Sequence, residues 1–515
     1  MSSADWAALR DSPFFFVKNS IYGIIYATMT SQKEQELYQE RLKKLEQLRK
    51  VGVDPYPASA ERNLEIEEVL EEFTKLEKNG KEIILAGRIR ALRGHGKLVF
   101  SDLEDESGKI QTLFKSDTTD KQVFPLVELL DIGDFISVNG TLFTTKAGEK
   151  TLQVKTFNVL AKSLRSLPEK YHGLHDTETR LRKRYLDLLT NPEVKELFRK
   201  KNKFWKTIRN FLEKENFLEV ETPVLEQIPG GAEAEPFITH YNALDQDFYL
   251  RISLELPLKK LLVAGFEKVF EIGRIFRNEG ISAEHLQDYT QMEFYWAYAD
   301  YNSLKPFVQK LYLNIIKSVN NSTAAEYDGS KIDWGGKWEE YDYYEMFSKH
   351  TGTDLSSVEI SGLQSIAKKN NINFDKSMGK GRLIDLIFKK MVRPHLINPG
   401  FLLNPPVEIE PLAKRLSDDQ SRVQRLQVVA WGIELGKGFS ELNDPIDQKK
   451  RFEEQMKLRE SGDKEAQILD SDFIEALEYG MPPAAGFGLS ERLFAVLMDK
   501  SVRETVIFPP MRKDD

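Results

Sequence analysis

The sequence predicts an α+β protein, with a small N-terminal barrel of five strands followed by a larger domain of antiparallel strands with flanking helices. Three observations point there. Five short strand-like segments crowd residues 82–160, separated by turn residues. From Asn191 onward, segments with a 3.6-residue apolar period alternate with segments of two-residue period. Finally, 515 residues, 41% of them hydrophobic, suffice for two to four domains of about 100–200 residues each.

At the N-terminus, Pro13 to Met29 (PFFFVKNSIYGIIYATM) is apolar at both ends but broken by Lys18 and Asn19. It falls short of the roughly 20 apolar residues that span a bilayer. It also lacks the leading positive charge of a secretory signal, because Arg10 is followed by Asp11. Residues 1–30 are therefore expected to be an extension, disordered or preceding a true start at Met29, with no membrane role. Residues 32–50 carry Leu37, Leu42, Leu45 and Leu48 among charges of both signs, an amphipathic helix that Gly52, Pro55 and Pro57 end. A second charged helix is expected over 63–78. The strands then read EIILAGRIRAL, GKLVFSDLED, KIQTLFK, FISVNGTLF and KTLQVKTFNVL, with Gly94, Gly96, Asp105 to Gly108, Asn139-Gly140 and Gly148 between them.

Residues 31–165 thus form the helices and barrel, and 166–190 a linker. Asn191-Pro192 is an N-cap with proline at the first helical position. The helix it opens, with Val194, Leu197, Phe198, Trp205, Ile208, Phe211 and Leu212 at helical spacing, leads through Val220-Glu221-Thr222-Pro223 into a strand. The rest of 191–515 reads as one domain. Strands are expected at 248–253, 268–275, 289–298, 425–434 and 438–443, and helices at 254–265, 302–319, 359–370, 380–393, 444–460 and 490–499. Its size argues for a helical insertion near 320–395.

Composition narrows the chemistry. With 73 Lys and Arg against 81 Asp and Glu, the net charge is −8, which disfavours generic adhesion to nucleic acid, so such a contact needs a local patch. The absence of cysteine excludes disulfides, thiolate zinc sites and cysteine nucleophiles, and is compatible with the cytoplasm. Seven scattered histidines leave a hard, oxygen-ligated cation such as Mg²⁺ as the metal to expect.

Residues 270–300 (FEIGRIFRNEGISAEHLQDYTQMEFYWAYAD) read as strand, loop, strand. Met292, Phe294 and Trp296 alternate with Glu293 and Tyr295, so a carboxylate and a phenol share a face and can receive a cation. Arg277 and Glu279, two apart at a strand end, suit a phosphate and an amino group, although two such residues alone read more readily as a surface salt bridge, and it is the surrounding cluster that shifts the reading.

These residues resemble motif 2 of class II aminoacyl-tRNA synthetases. FRNEGISAEH with MEFYWAYADYN is similar to the lysyl-tRNA synthetase family of bacterial type, and the similarity extends over residues 80–515. Phe211 to Pro223 supplies the helix, strand and proline of motif 1, which implies a homodimer. Ala485-Gly-Phe-Gly-Leu-Ser-Glu-Arg492 resembles motif 3, one residue shorter than the lysyl pattern. The resemblance implies an OB-fold anticodon-binding barrel and a class II antiparallel catalytic sheet. It also implies lysine–tRNA ligase activity, in which lysine, ATP and Mg²⁺ give lysyl-adenylate and pyrophosphate, and lysine then passes to the 3′-terminal ribose of tRNA(Lys), releasing AMP. No zinc is implied.

Matched position by position, the resemblance gives Arg277 the α-phosphate and the lysine carboxylate, Glu279 and His285 contacts to ATP, Tyr289 the adenine, and Arg492 the triphosphate tail. Glu434 would bind Mg²⁺, with Gln427 standing where a second metal-binding glutamate is usual. The lysine α-ammonium would meet Glu255 and the Gly231 carbonyl, and its ε-ammonium Glu293, Tyr295 and Glu441. Two carboxylates at the pocket floor select a cation. Lys437 stands where an asparagine contacts the substrate carboxylate, Glu410 where serine is usual, and Leu-Gln-Asp-Tyr follows His285 in place of Asn-Pro-Glu-Phe.

In the barrel, Arg88, Arg90, Arg93, His95 and Lys97 lie near Phe100, on which a base can stack. Arg93, Phe100, Gln111 and Glu149 are the implied anticodon contacts, while pattern alone equally allows Phe100 in the barrel core. Arg180 to Lys206 holds ten Lys and Arg against three Asp and Glu, a candidate tRNA patch or a solvated helix face. Two competing readings are a class II paralogue that ligates lysine to a protein or makes another amide, disfavoured by the presence of the barrel, and a non-catalytic tRNA-binding module, disfavoured by Arg277, Arg492 and Glu434. Neither HIGH nor KMSKS occurs, which disfavours class I.

Overall fold

The computed structural model describes residues 13–168, 176–280, 286–375, 378–463 and 465–512. The chain folds as two units, Met1–His175 and Asp176–Asp515. Residues 1–12 of the expected extension lie outside the described residues, and a helix runs Pro13–Lys50, so the helix expected from residue 32 begins earlier. Among the described residues, no helix is long and apolar enough to cross a membrane.

In the first unit, the charged helix expected at 63–78 is two short helices, Ile66–Glu71 and Phe73–Asn79. Five strands follow: β1 (Ile83–His95), β2 (Leu98–Glu104), β3 (Lys109–Lys115), β4 (Phe135–Thr144) and β5 (Lys150–Ala161). They close a barrel in the order β1-β2-β3-β5-β4, with β3 and β5 parallel. Two-residue alternation turns Leu85, Ile89, Leu103, Ile110, Phe114, Val138, Leu152 and Val154 into one core. Lys162, fully buried, fastens the exit from β5 by donating to Asp134 Oδ2 at 2.7 Å and to the Leu129 carbonyl at 2.7 Å.

The second unit is built on an eight-stranded sheet. Its strands are β6 (Leu218–Glu219), β10 (Lys268–Phe276), β11 (Asp288–Ala297), β14 (Glu339–Asp342), β15 (Gly400–Leu403), β16 (Arg425–Ala430), β17 (Ile433–Ser440) and β18 (Ala484–Ser490). Their spatial order is β14-β15-β16-β17-β18-β11-β10-β6. The numbers between belong to a three-stranded sheet, β7 (Leu225–Glu226), β8 (Ile238–Tyr241) and β9 (Gln246–Leu250), and to a hairpin, β12 (Ala324–Tyr327) and β13 (Ser330–Asp333). One face of the main sheet, including Met292, Phe294, Phe487, Leu489, Leu426 and Val428, packs on Phe204, Ile208, Phe211 and Leu212 of helix Pro192–Lys214. Leu304, Val308, Leu311 and Ile315 of helix Tyr301–Asn320 complete that core. The opposite face carries the polar residues, with helix Glu255–Val263 packed at one end through Leu258 and Leu262.

Several expectations change. The strand expected over 425–434 ends at Ala430, and β17 begins at Ile433, because Trp431 (φ 52°) and Gly432 (φ 70°) turn the chain there. Glu434 is consequently the second residue of β17 and pairs with Val429. Asn191 precedes the helix from Pro192, but its side chain donates to Asp187 Oδ1 at 2.7 Å instead of capping. The segment expected as linker contains helices Thr177–Arg182 and Arg184–Thr190. The segment 320–395 holds β12–β14 as well as helices, with a core of its own around Tyr343, Phe347, Leu363 and Ile384.

Candidate active site

The polar face of the sheet collects the residues expected around an amino acid. β11 and β18 pair antiparallel, so Glu293 lies opposite Gly488 and Tyr295 opposite Gly486. A Cβ at Gly486 would lie 2.4 Å from Glu441 Oε1 and 2.4 Å from Tyr295 Cε1, so this glycine of motif 3 makes room for the pocket floor. Across from it, Gly231 (φ +82°) brings its backbone against Ser253 and Glu255.

Glu293 is buried and held by four donors. Its Oε1 accepts from Ser253 Oγ (3.0 Å), the Leu254 amide (3.1 Å) and Gln291 Nε2 (2.6 Å), and its Oε2 from the Tyr295 hydroxyl (2.9 Å). Glu255 accepts from Lys259 Nζ at 2.6 Å, and the same ammonium is ion-paired with Glu441. Burial pushes Glu255 up to about 7 against the pull of Lys259, and raises Glu441 well above the usual carboxylate range. Burial, then the three carboxylates, raises the Tyr295 phenol well above its ordinary value. Two of the three carboxylates, Glu255 and Glu441, thus share one internal ammonium while Glu293 has none, an arrangement suited to a ligand carrying further cationic groups.

The adjoining stretch of the same face is cationic. Arg277 follows β10, and its Nε donates to the Ile252 carbonyl at 3.2 Å while its guanidinium carbon lies 5.7 Å from the centre of the Tyr289 ring. Its amide bonds the Gln287 carbonyl at 2.9 Å, and Gln287 Nε2 reaches the Glu279 carbonyl at 3.1 Å, which joins the two ends of the loop. His285 lies outside the described residues. Arg492 opens helix Arg492–Leu497, and the Ser490-Glu491 step before it is fixed by the buried Glu491, ion-paired with Lys201. Glu434 is held down at about 2: burial opposes its ionisation, but Lys389, Arg492, Arg425 and Lys437 outweigh it.

The metal ligands divide. Among the described residues there is no cluster of three or more His, Cys, Asp or Glu that could hold a metal ion. Glu434 suits Mg²⁺ as one carboxylate used together with phosphate oxygens. Gln427 is engaged elsewhere, since its Oε1 accepts from Arg425 Nη2 at 2.8 Å. Lys437 Nζ lies 3.1 Å from both oxygens of Glu410, yet its side chain remains 44% exposed and open to a second anion. The two unusual residues Glu410 and Lys437 are thus partners, and Arg425 Nη1 joins them at 3.4 Å.

In the first unit, Phe100 stands outside the barrel core. It pairs with Arg93 across β1–β2, while Asp102 pairs with Gln111 across β2–β3, so Arg93, Phe100 and Gln111 share the outer face. Glu149 is exposed just before β5. The basic strand pair is partly neutralised: Arg93 bonds Asp102 at 2.7 Å and Arg90 lies 3.3 Å from Glu104. The run from Arg180 to Lys206 is likewise no uniform patch. Arg184 is buried against Asp187 at 2.7 Å, Arg180 bonds the same carboxylate at 2.7 Å, and Lys201 is held by Glu491.

Sequence reasoning missed Lys259, Ser253, Gln291 and Lys389. It also missed Arg251, whose Nη1 bonds Glu271 Oε1 at 2.6 Å and the Thr222 carbonyl at 3.0 Å, tying the segment between β6 and β7 to β10. The i,i+4 spacing of Glu255 and Lys259 was the one signal available, and on an exposed helix it has no special meaning.

Residues 176–512 match the family described as tRNA synthetases class II (D, K and N), and residues 83–160 match the OB-fold nucleic acid binding domain. The chain is 45% identical over 486 residues to the lysine–tRNA ligase of Thermoanaerobacter sp. (strain X514), covering 94% of this chain and 97% of that one. It is 45% identical over 491 residues to that of Carboxydothermus hydrogenoformans (95% and 100% covered) and 46% identical over 482 residues to that of Roseiflexus castenholzii (93% and 99%). Matched over most of its length by the catalytic family and along nearly all of it by these relatives, the chain belongs to the class II tRNA synthetases of the D, K and N group.

Proposed function

We propose that this chain is a lysine–tRNA ligase acting in the cytoplasm. The carrying observation is the pocket floor, where Glu255, Glu293 and Glu441 converge under the Tyr295 hydroxyl. An aspartate or asparagine side chain would meet carboxylates there without an ammonium to match them. In this reading the substrate's α-ammonium sits between Glu255 and the Gly231 carbonyl, and its ε-ammonium reaches Glu293, Tyr295 and Glu441. Arg277, fixed by the Ile252 carbonyl, draws the lysine carboxylate and the α-phosphate together, with Lys437 as a second cation for the carboxylate.

The carboxylate is already a nucleophile at neutral pH, so positioning and charge neutralisation suffice for adenylate formation. Arg492 takes the triphosphate tail, Tyr289 the adenine, and Glu279 and His285 further ATP contacts. Glu434 would hold Mg²⁺ through the phosphates; when bound, the ion supplies charge neutralisation that makes pyrophosphate a better leaving group. The terminal ribose hydroxyl of tRNA(Lys) then attacks the adenylate carbonyl and releases AMP. Arg93, Phe100, Gln111 and Glu149 read the anticodon from the barrel's outer face. A homodimer is supported by the exposed apolar side chains of Leu218, Val224 and Leu225 around motif 1. The test is charging of tRNA(Lys) with labelled lysine by the purified chain: acid-precipitable lysine is expected, and its absence with active ATP and intact tRNA overturns the proposal.

A further inference from the structure

Lys259 places a fully buried charge at the polar face of the main sheet. It lies one turn after Glu255 on helix Glu255–Val263, and its side chain has 0% exposure. Its ammonium is 2.6 Å from Glu255 Oε1 and ion-paired with Glu441, which follows β17 on the far side of the pocket. The Phe439 and Phe473 rings flank it at 5.3 and 6.0 Å. Taking an ammonium and its carboxylates out of water opposes folding, and a buried aliphatic chain would pack the same volume without that cost. A charge kept at such a site invites a role beyond stability.

That role follows from what Lys259 joins. Glu255 is the carboxylate of one substrate ammonium and Glu441 of the other, so one rigid internal ammonium spans both subsites. It also supplies one positive charge between these two carboxylates, which limits their repulsion while each takes up a substrate ammonium. We infer that Lys259 is a positioning residue that fixes the separation of the two ammonium subsites, so that lysine is distinguished from the one-methylene-shorter ornithine through Lys259. This rests on the lysine reading above. The groups that face the two carboxylates are Glu293 and Tyr295 from β11 and Lys437 from β17. Without the Lys259 ammonium, Glu255 and Glu441 lose the cation that opposes their mutual repulsion and hold protons more tightly, so the incoming substrate must expel more of them.

The test uses the full chain and Lys259→Met. In ATP–pyrophosphate exchange, KM for lysine rises by about tenfold or more with kcat changed much less, and the preference for lysine over ornithine shrinks by about tenfold, the scale of one methylene. Calorimetry in buffers of different ionisation enthalpy registers about one more proton released per lysine bound than in the wild type, a readout that lost packing does not move. Unchanged selectivity and an unchanged proton count overturn the inference. Should Lys259→Met not fold, the wild-type chain carries the test: cadaverine, with the lysine spacing, displaces lysine about tenfold better than putrescine, one methylene shorter, and equal displacement overturns the fixed spacing. A wild-type chain that binds no lysine refutes the underlying reading instead.

Discussion

Glu293→Gln isolates the pocket chemistry from the fold. An amide keeps one acceptor oxygen, which can stay where Oε1 accepts from Ser253, the Leu254 amide and Gln291. The amide nitrogen then faces the Tyr295 hydroxyl, which turns to accept, so the folded state loses on the order of 1 kcal/mol. The substrate loses more. The ε-ammonium loses one of its two carboxylates, and breaking a buried ion pair costs about 3–5 kcal/mol, which at 1.4 kcal/mol per decade is roughly 100- to 3,000-fold in kcat/KM for lysine. The assay is ATP–pyrophosphate exchange with lysine varied at saturating ATP, with melting temperature and KM for ATP measured alongside. A folded variant losing less than about tenfold in lysine kcat/KM refutes the assignment of Glu293 to the ε-ammonium. An equal loss toward ATP refutes it too, because it marks a structural effect.

Further outcomes follow from the same geometry. Gly486→Ala forces a Cβ into the space of Glu441 and Tyr295, and should cost about 1–3 kcal/mol in stability and raise KM for lysine; wild-type values for both would show that the floor yields freely. Phe100→Ala should lower kcat/KM for tRNA(Lys) by about 10- to 100-fold, the worth of one stacked base, while lysine activation in the other unit is unchanged; undiminished charging removes Phe100 from recognition. Burial raises Glu226 to about 8 and Glu233 and Glu255 to about 7, from an ordinary value of 4.5. The folded state therefore binds these protons more tightly, and stability from them is full below pH 4.5 and declines as pH rises to about 8. Glu434, held at about 2, acts oppositely, its contribution being lost as pH falls from 4.5 toward 2. The melting temperature of the unliganded chain should thus fall between pH 6 and pH 8, with lysine stabilising more at pH 8; the reverse trend contradicts the burial of these carboxylates.

Legibility in the sequence tracked locality. The barrel strands could be read because each is bounded by turn residues within a few positions, and KIQTLFK is observed as β3 without a shift. The alternation of Met292, Phe294 and Trp296 with Glu293 and Tyr295 also held, since strand geometry alone sends the first set to the helices and the second to the pocket. The turn at Trp431–Gly432 was hidden inside a continuous apolar run, which moved Glu434 onto a different strand. Pairings across the fold left no local trace: Lys259 with Glu441, Lys437 with Glu410 and Lys201 with Glu491 depend on which strands and helices become neighbours. For the same reason the basic residues of β1 looked free, whereas the β1–β2 register supplies Arg93 and Arg90 with Asp102 and Glu104.

The central claim is that the charge of this pocket selects lysine, and ATP–pyrophosphate exchange with each of the twenty amino acids and Mg²⁺ tests it most directly, before any tRNA enters. Exchange with lysine alone is the predicted result. Exchange with aspartate or asparagine, or with no amino acid at all, would contradict it.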